Sequence, residues 1–258
     1  MTRVAALALL DLLAAHRGLV CVVGAGGKKS TLYRLVEAHL ACGSARVGLT
    51  CTVAMARPPP SLGRPLLADP AALAHELAER RPAGGVLVYA EPSSKPGRIG
   101  GVPPAVVAGL HADGGFDVTL VKADGARMRW IKAPAEDEPV LPPGVATVLP
   151  LVSAKIFGQP LAPAVAHRLE RVVAATGAEP GEPLTPEHVA RLLTSELGAL
   201  RGCGSATVVP VINMVDDQNK RAAALETARR ALERSDRLPR VILTNMIAPD
   251  PVIEVVTP

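Results

Sequence analysis

With 258 residues, 48% of them hydrophobic, the chain is long enough to bury a full core and lies near the upper end for one domain. Its net charge of +4, from 28 basic against 24 acidic residues, comes with no long run of one sign, and aromatics are only 2%. That excludes the clustered Lys and Arg with interleaved aromatics that a nucleic-acid surface needs, and no segment reaches the ~20 apolar residues of a membrane span.

The chain opens on Arg3 and an apolar run that Asp11 breaks, so a leading amphipathic helix is expected and not a signal peptide. Apolar, β-rich runs then recur at 19–23, 46–52, 86–90, 117–122, 146–151, 207–213 and 240–244. Helical patterns at 31–41, 70–80, 103–111, 164–176, 186–200 and 218–234 separate several of them. This alternation predicts right-handed β-α-β crossovers and an α/β fold, a mainly parallel sheet flanked by helices, with little aromatic stacking in its core. One domain over 1–258 is expected, with a small helical insertion at 159–204, where the β signal disappears. Thr185-Pro186-Glu187 starts the second helix of that insertion, an N-cap followed by proline at the first helical position. The four cysteines, Cys21, Cys42, Cys51 and Cys203, lack C-x-x-C spacing and read as reduced thiols of a cytoplasmic protein.

The first strand runs directly into Gly24-Ala25-Gly26-Gly27-Lys28-Lys29-Ser30-Thr31 and then into a helical pattern. Strand, glycine turn and helix in that order are the context of a phosphate loop, so the fold is expected to be P-loop NTPase-like. Glycines let backbone amides close on phosphate oxygens, the helix start adds partial positive charge, and a lysine adds a full one. The spacing is shorter than G-x-x-x-x-G-K-[ST] and closer to the compact loops of Mur ligases, which leaves an ATP-dependent ligase as an alternative. Two registers are open: Lys28 or Lys29 neutralises phosphate, with Ser30 or Thr31 as the hydroxyl near Mg²⁺. Two lysines ~4 Å apart repel by roughly 4 kcal/mol at an effective dielectric of ~20, so only one of them belongs in the site.

An apolar strand ends in Lys122-Ala123-Asp124-Gly125, and Asp124 is the candidate to reach Mg²⁺ or its water. Thr50 and Thr52, at the end of the second strand, offer hydroxyls to phosphate or metal, Thr50 being the metal candidate. Asn213-Met214-Val215-Asp216 follows a strand and is similar to the N-K-x-D guanine reader with Met214 in place of the lysine. That makes Asn213 and Asp216 nucleotide candidates.

Taken together, Val22 to Lys28, Thr50-Cys51-Thr52, Ala123-Asp124-Gly125-Ala126, Lys132 to Pro139, His167-Arg168 and Val211 to Asp217 resemble the YqeC family, accessory proteins for selenium-dependent molybdenum hydroxylases. The resemblance implies a P-loop-like protein binding ATP or GTP with Mg²⁺ and assisting cofactor maturation, with a molybdenum hydroxylase or its maturation proteins as partners. It also implies substrate or partner contacts for Lys132, Glu136 and Glu138. Lys29 stands where the family usually has a hydroxyl residue, and Lys122 where an acidic residue commonly precedes Ala-Asp-Gly; both favour binding over hydrolysis. Two classes of activity follow, a slow NTPase or phosphoryl-transfer enzyme and a non-hydrolysing partner protein.

Overall fold

The computed structural model describes residues 1–43, 46–79 and 84–258. The chain passes through α1 (Arg3–Leu12), β1 (Gly18–Gly24), α2 (Lys28–Cys42), β2 (Arg46–Cys51), β3 (Met55–Ala56), β4 (Leu66–Leu67), α3 (Pro70–Glu79), β5 (Gly85–Ala90), β6 (Arg98–Ile99), α4 (Pro104–Asp113) and β7 (Val118–Lys122). It continues with β8 (Ile131–Lys132), β9 (Val145–Ser153), β10 (Ala166–His167), α5 (Leu169–Thr176), α6 (Pro186–Thr194), β11 (Thr207–Val208), β12 (Val211–Asn213), α7 (Gln218–Arg234), β13 (Val241–Thr244) and β14 (Val252–Val256). Two compact units result, one of Met1–Val22, Leu32–Asp124 and Val140–Thr147, the other of Val23–Thr31, Gly125–Pro139 and Val148–Pro258.

In the first unit β1, β7, β2, β5 and β4 lie in that order, all parallel. Every residue of β2 and β7 is buried, which is why both read as apolar runs without alternation. Gly48 in β2 has no room for a side chain, because a Cβ there would meet Thr119 Oγ1 at 2.8 Å and the Tyr89 ring at 3.2 Å. Tyr89 stacks on Phe116 with ring centroids 5.6 Å apart, and the Arg46 guanidinium covers the same Phe116 ring at 5.1 Å. The leading helix α1 is amphipathic as expected, burying Ala6, Leu9 and Leu10 and leaving Val4 and Leu7 exposed.

In the second unit β9, β12 and β13 are parallel, and β14 pairs antiparallel on the far side of β13. Helix α7 packs on β13 and α6, burying Ala224, Thr227, Ala228, Ala231 and Leu232. Glu187 of α6 pairs with Arg191 on its own helix and with Arg230 and Arg234 of α7. Thr185 Oγ1 accepts from the His188 amide while His188 Nδ1 accepts from the Thr185 amide, a complete capping box. Thr185→Ala is expected to cost about 1 kcal/mol, read as a lower urea midpoint at unchanged slope.

The fold is therefore α/β, with a mainly parallel sheet flanked by helices and P-loop NTPase-like. Two departures from the sequence pattern have identifiable causes. The run 207–213 divides into β11 and β12 at Val209 and Pro210, because proline has no amide to give a ladder. The helix expected at 164–176 starts only at Leu169: Ala166 and His167 pair with Ile131 and Lys132 as strand, and Arg168 turns left-handed at φ 63°. Thus His167 and Arg168 precede the helix and do not lie on it. The segment 159–204 holds β10, α5 and α6, the last ending at Thr194. Helix α3 follows its pattern to Glu79, Arg80 lying outside the described residues. The antiparallel β14 was not expected.

Candidate functional site

The glycine turn is held in the second unit by strands β9 and β12. Gly24, Gly26 and Gly27 have φ of 81°, 93° and 112°, values that L side chains rarely adopt. Space forbids a side chain as well. A Cβ on Gly24 would lie 2.3 Å from Leu151 O, one on Gly26 2.6 Å from the Ser153 amide, and one on Gly27 2.3 Å from Asn213 Nδ2. The Ala25 amide donates to Leu151 O at 2.8 Å, fastening the start of the loop to β9.

Helix α2 begins at Lys28, and the first amide with a helical partner near its start is that of Thr31, donating to Gly27 O at 3.0 Å. The amides of Gly26, Gly27, Lys29 and Ser30 have no backbone partner among the described residues. Four donors thus lie in or just beyond the turn, where the helix dipole adds positive potential.

The two lysines part company. Lys28 is buried and its Nζ donates to Gly24 O across the loop, whereas Lys29 is exposed. Lys28, not Lys29, is the cation facing the turn. Thr31 is buried with its hydroxyl donating to Gly27 O at 3.2 Å, which leaves the half-buried Ser30 as the loop's available hydroxyl.

Asn213 is part of this assembly. Its Nδ2 donates to Gly26 O at 2.8 Å, while Oδ1 accepts from Thr244 Oγ1 and from the Met246 amide, both at 3.0 Å. Both ends of the amide thus make contacts inside the protein, and the residue is 2% exposed. Asn213 clips the loop to the end of β13. Asp216 lies apart, exposed and paired with Lys220 at 2.5 Å.

A second cluster in this unit gathers Lys132, Glu138, His167 and Arg168. Pairing of β8 with β10 puts His167 opposite Lys132. Glu138 receives Lys132 Nζ at 2.5 Å and the Arg168 guanidinium on the same oxygen, Oε2. Burial pushes the Glu138 carboxyl up, but Lys132 and then Arg168 outweigh it and hold the group below its ordinary 4.5. A carboxyl whose pKa is lower folded than unfolded adds stability above its unfolded value, and that stability is lost as pH falls through the folded one. Glu138→Gln is therefore expected to lower Tm at neutral pH and to flatten its fall between about pH 5 and 3 in calorimetric scans. Glu136 is not in the cluster: it is exposed, pairs with Arg171 at 3.2 Å, and its carbonyl accepts from Arg201.

In the first unit β7 stands between β1 and β2, with Lys122 opposite both Val22 and Cys51. Asp124 follows β7 and is 2% exposed; Thr50, at the end of the neighbouring β2, is fully buried. Thr50 Oγ1 has no hydrogen-bond partner among the described residues, whereas Thr52 Oγ1 donates to Val140 O at 2.7 Å. Lys122 is buried, its Nζ 3.4 Å from Ala54 O. Burial raises the Cys51 thiol to about 12, with Lys122 opposing, and none of the four cysteines is in a disulfide.

Sequence reasoning missed the residues that hold the loop from behind: Ser153, Thr244 and Met246. No local signal marks them, since each acts only through strand neighbours distant in the chain.

Among the described residues no helix is long and apolar enough to cross a membrane. The family described as YqeC protein matches residues 20–170, the stretch that holds the glycine loop, Thr50, Asp124 and the Lys132 to Glu138 segment. A relative from Escherichia coli (strain K12), described as "Uncharacterized protein YqeC", is 30% identical over 182 residues, covering 70% of this chain and 70% of its own length. On the strength of both matches, the chain belongs to the YqeC family.

Proposed function

We propose that the chain binds ATP or GTP with Mg²⁺ on the turn from Gly24 to Thr31 and acts in the cytoplasm as an accessory protein in cofactor maturation for selenium-dependent molybdenum hydroxylases. The observation that carries the nucleotide reading is the inward Lys28, drawn across a turn whose three glycines cannot accept side chains and whose amides lie at a helix start. An arriving phosphate would draw the Lys28 ammonium from Gly24 O and accept from the amides of Gly26, Gly27, Lys29 and Ser30, forming several charge-assisted contacts. Four cysteines outside any disulfide suit a reducing compartment.

A nucleotide-bound Mg²⁺ takes most of its ligands from phosphate and water, so it needs few oxygens from protein. Ser30 is the loop's hydroxyl for it. The ion would neutralise charge on the phosphates.

A second reading, nucleotide binding without turnover, is favoured by the exposed Lys29 at the position of the usual hydroxyl and by the buried Lys122. Calorimetric titration of ATP and GTP with and without Mg²⁺, followed by a phosphate-release assay at saturation, separates these. Binding with release supports the NTPase, and binding alone supports the partner protein. No heat with either nucleotide at millimolar concentration overturns both.

A further inference from the structure

We infer that the second unit carries an oxyanion subsite besides the glycine turn, built from Arg168 and His167, which takes the phosphate or carboxylate group of a second substrate. As the place of an acceptor's acidic group it rests on the nucleotide reading; as an anion site it is tested without it.

Three kinds of observation meet here. Arg168 holds φ 63°, one of five non-glycine residues with positive φ among those described. Left-handed conformations of this sort gather where a side chain must be aimed at a ligand. Arg168 is tied to Glu138 through one nitrogen, Nη1, and the remainder of its fork makes no hydrogen bond among the described residues. Its side chain is 29% exposed, open to a solute yet anchored from behind. His167 is half-buried, and neither ring nitrogen has a partner among the described residues.

The chemistry of this set is that of oxyanion recognition. A guanidinium fork matches two oxygens of a phosphate or carboxylate, and an imidazole N–H adds a third donor. Glu138 keeps the guanidinium oriented and is itself held by Lys132. Burial, then Arg168, Lys132 and Arg127, lower the His167 pKa against the opposing pull of Glu138. An anion bound on the fork would reverse part of that, which makes His167 a reporter of occupancy.

The test follows the His167 ring by NMR in the full chain during titration with inorganic phosphate and, separately, acetate, the signal being assigned by its loss in His167→Gln. With phosphate the His167 pKa is expected to rise by about half a unit or more. The response should persist in Lys28→Ala and vanish in Arg168→Asn, asparagine being at home in a left-handed helix N-cap. Circular dichroism confirms that both variants are folded. A response to phosphate but not acetate assigns a phosphorylated substrate, and one to both assigns any oxyanion. No response in the parent, or one lost in Lys28→Ala and kept in Arg168→Asn, overturns the subsite. Failure of nucleotide calorimetry with the His167 response intact would overturn the nucleotide reading alone.

Discussion

Lys28→Ala is expected to weaken nucleotide binding by about 1.5–3 kcal/mol, roughly ten- to a hundredfold in Kd, while Lys29→Ala changes it by about twofold or less. The difference follows from placement and not from charge, since both residues are lysines at neighbouring positions. Lys28 is 7% exposed with its ammonium on the Gly24 carbonyl. Lys29 leaves the same helix turn toward water, where its attraction to phosphate is screened. Calorimetry on both variants checks this, and an equal loss in the two would mean that only the summed charge of the turn matters.

Gly26→Ala should destabilise the folded protein by roughly 2–5 kcal/mol and remove nucleotide binding even where the protein remains folded. Two independent penalties combine at this position. The backbone sits at φ 93°, and the added methyl would meet the amide, Cα and Cβ of Ser153 at 2.6–2.8 Å. Ser153 cannot retreat cheaply, because its amide donates to Trp130 O and its hydroxyl donates to Met214 Sδ. Gly181→Ala, also at positive φ but with open space around it, serves as the control for strain without collision. Urea melts of the two variants should differ by the collision alone.

Much of the fold could be read along the chain, because a buried parallel strand advertises itself as an unbroken apolar run and the crossover helices separate these runs. The strand order could not: nothing local to Val118–Lys122 says that it lies between β1 and β2. The glycine turn was legible for the same reason that it is strained, since three glycines within four positions have few other uses. The choice between Lys28 and Lys29 was not, because periodicity does not say which of two adjacent side chains at a helix start turns inward. Asn213 was singled out for a motif it only partly matches, and its real partners, Gly26, Thr244 and Met246, are 31 to 187 residues away along the chain. Lys132 and Glu138 were drawn together by resemblance, whereas Arg168 was misplaced on a helix because Ala164 to Arg168 has helical composition and the β8 pairing that overrides it is non-local.

The contact between Lys28 and the carbonyl of Gly24 makes the loop its own competitor. An incoming ion has to outbid a ligand that is already tethered in place, at an effective concentration no free solute matches. Chloride or acetate, with one charge and few acceptors, gains little by the exchange. On the proposed reading, a di- or triphosphate engaging the ammonium and several amides at once would gain much more, so a contact that looks like simple packing would act as a threshold against the small anions that crowd every aqueous compartment.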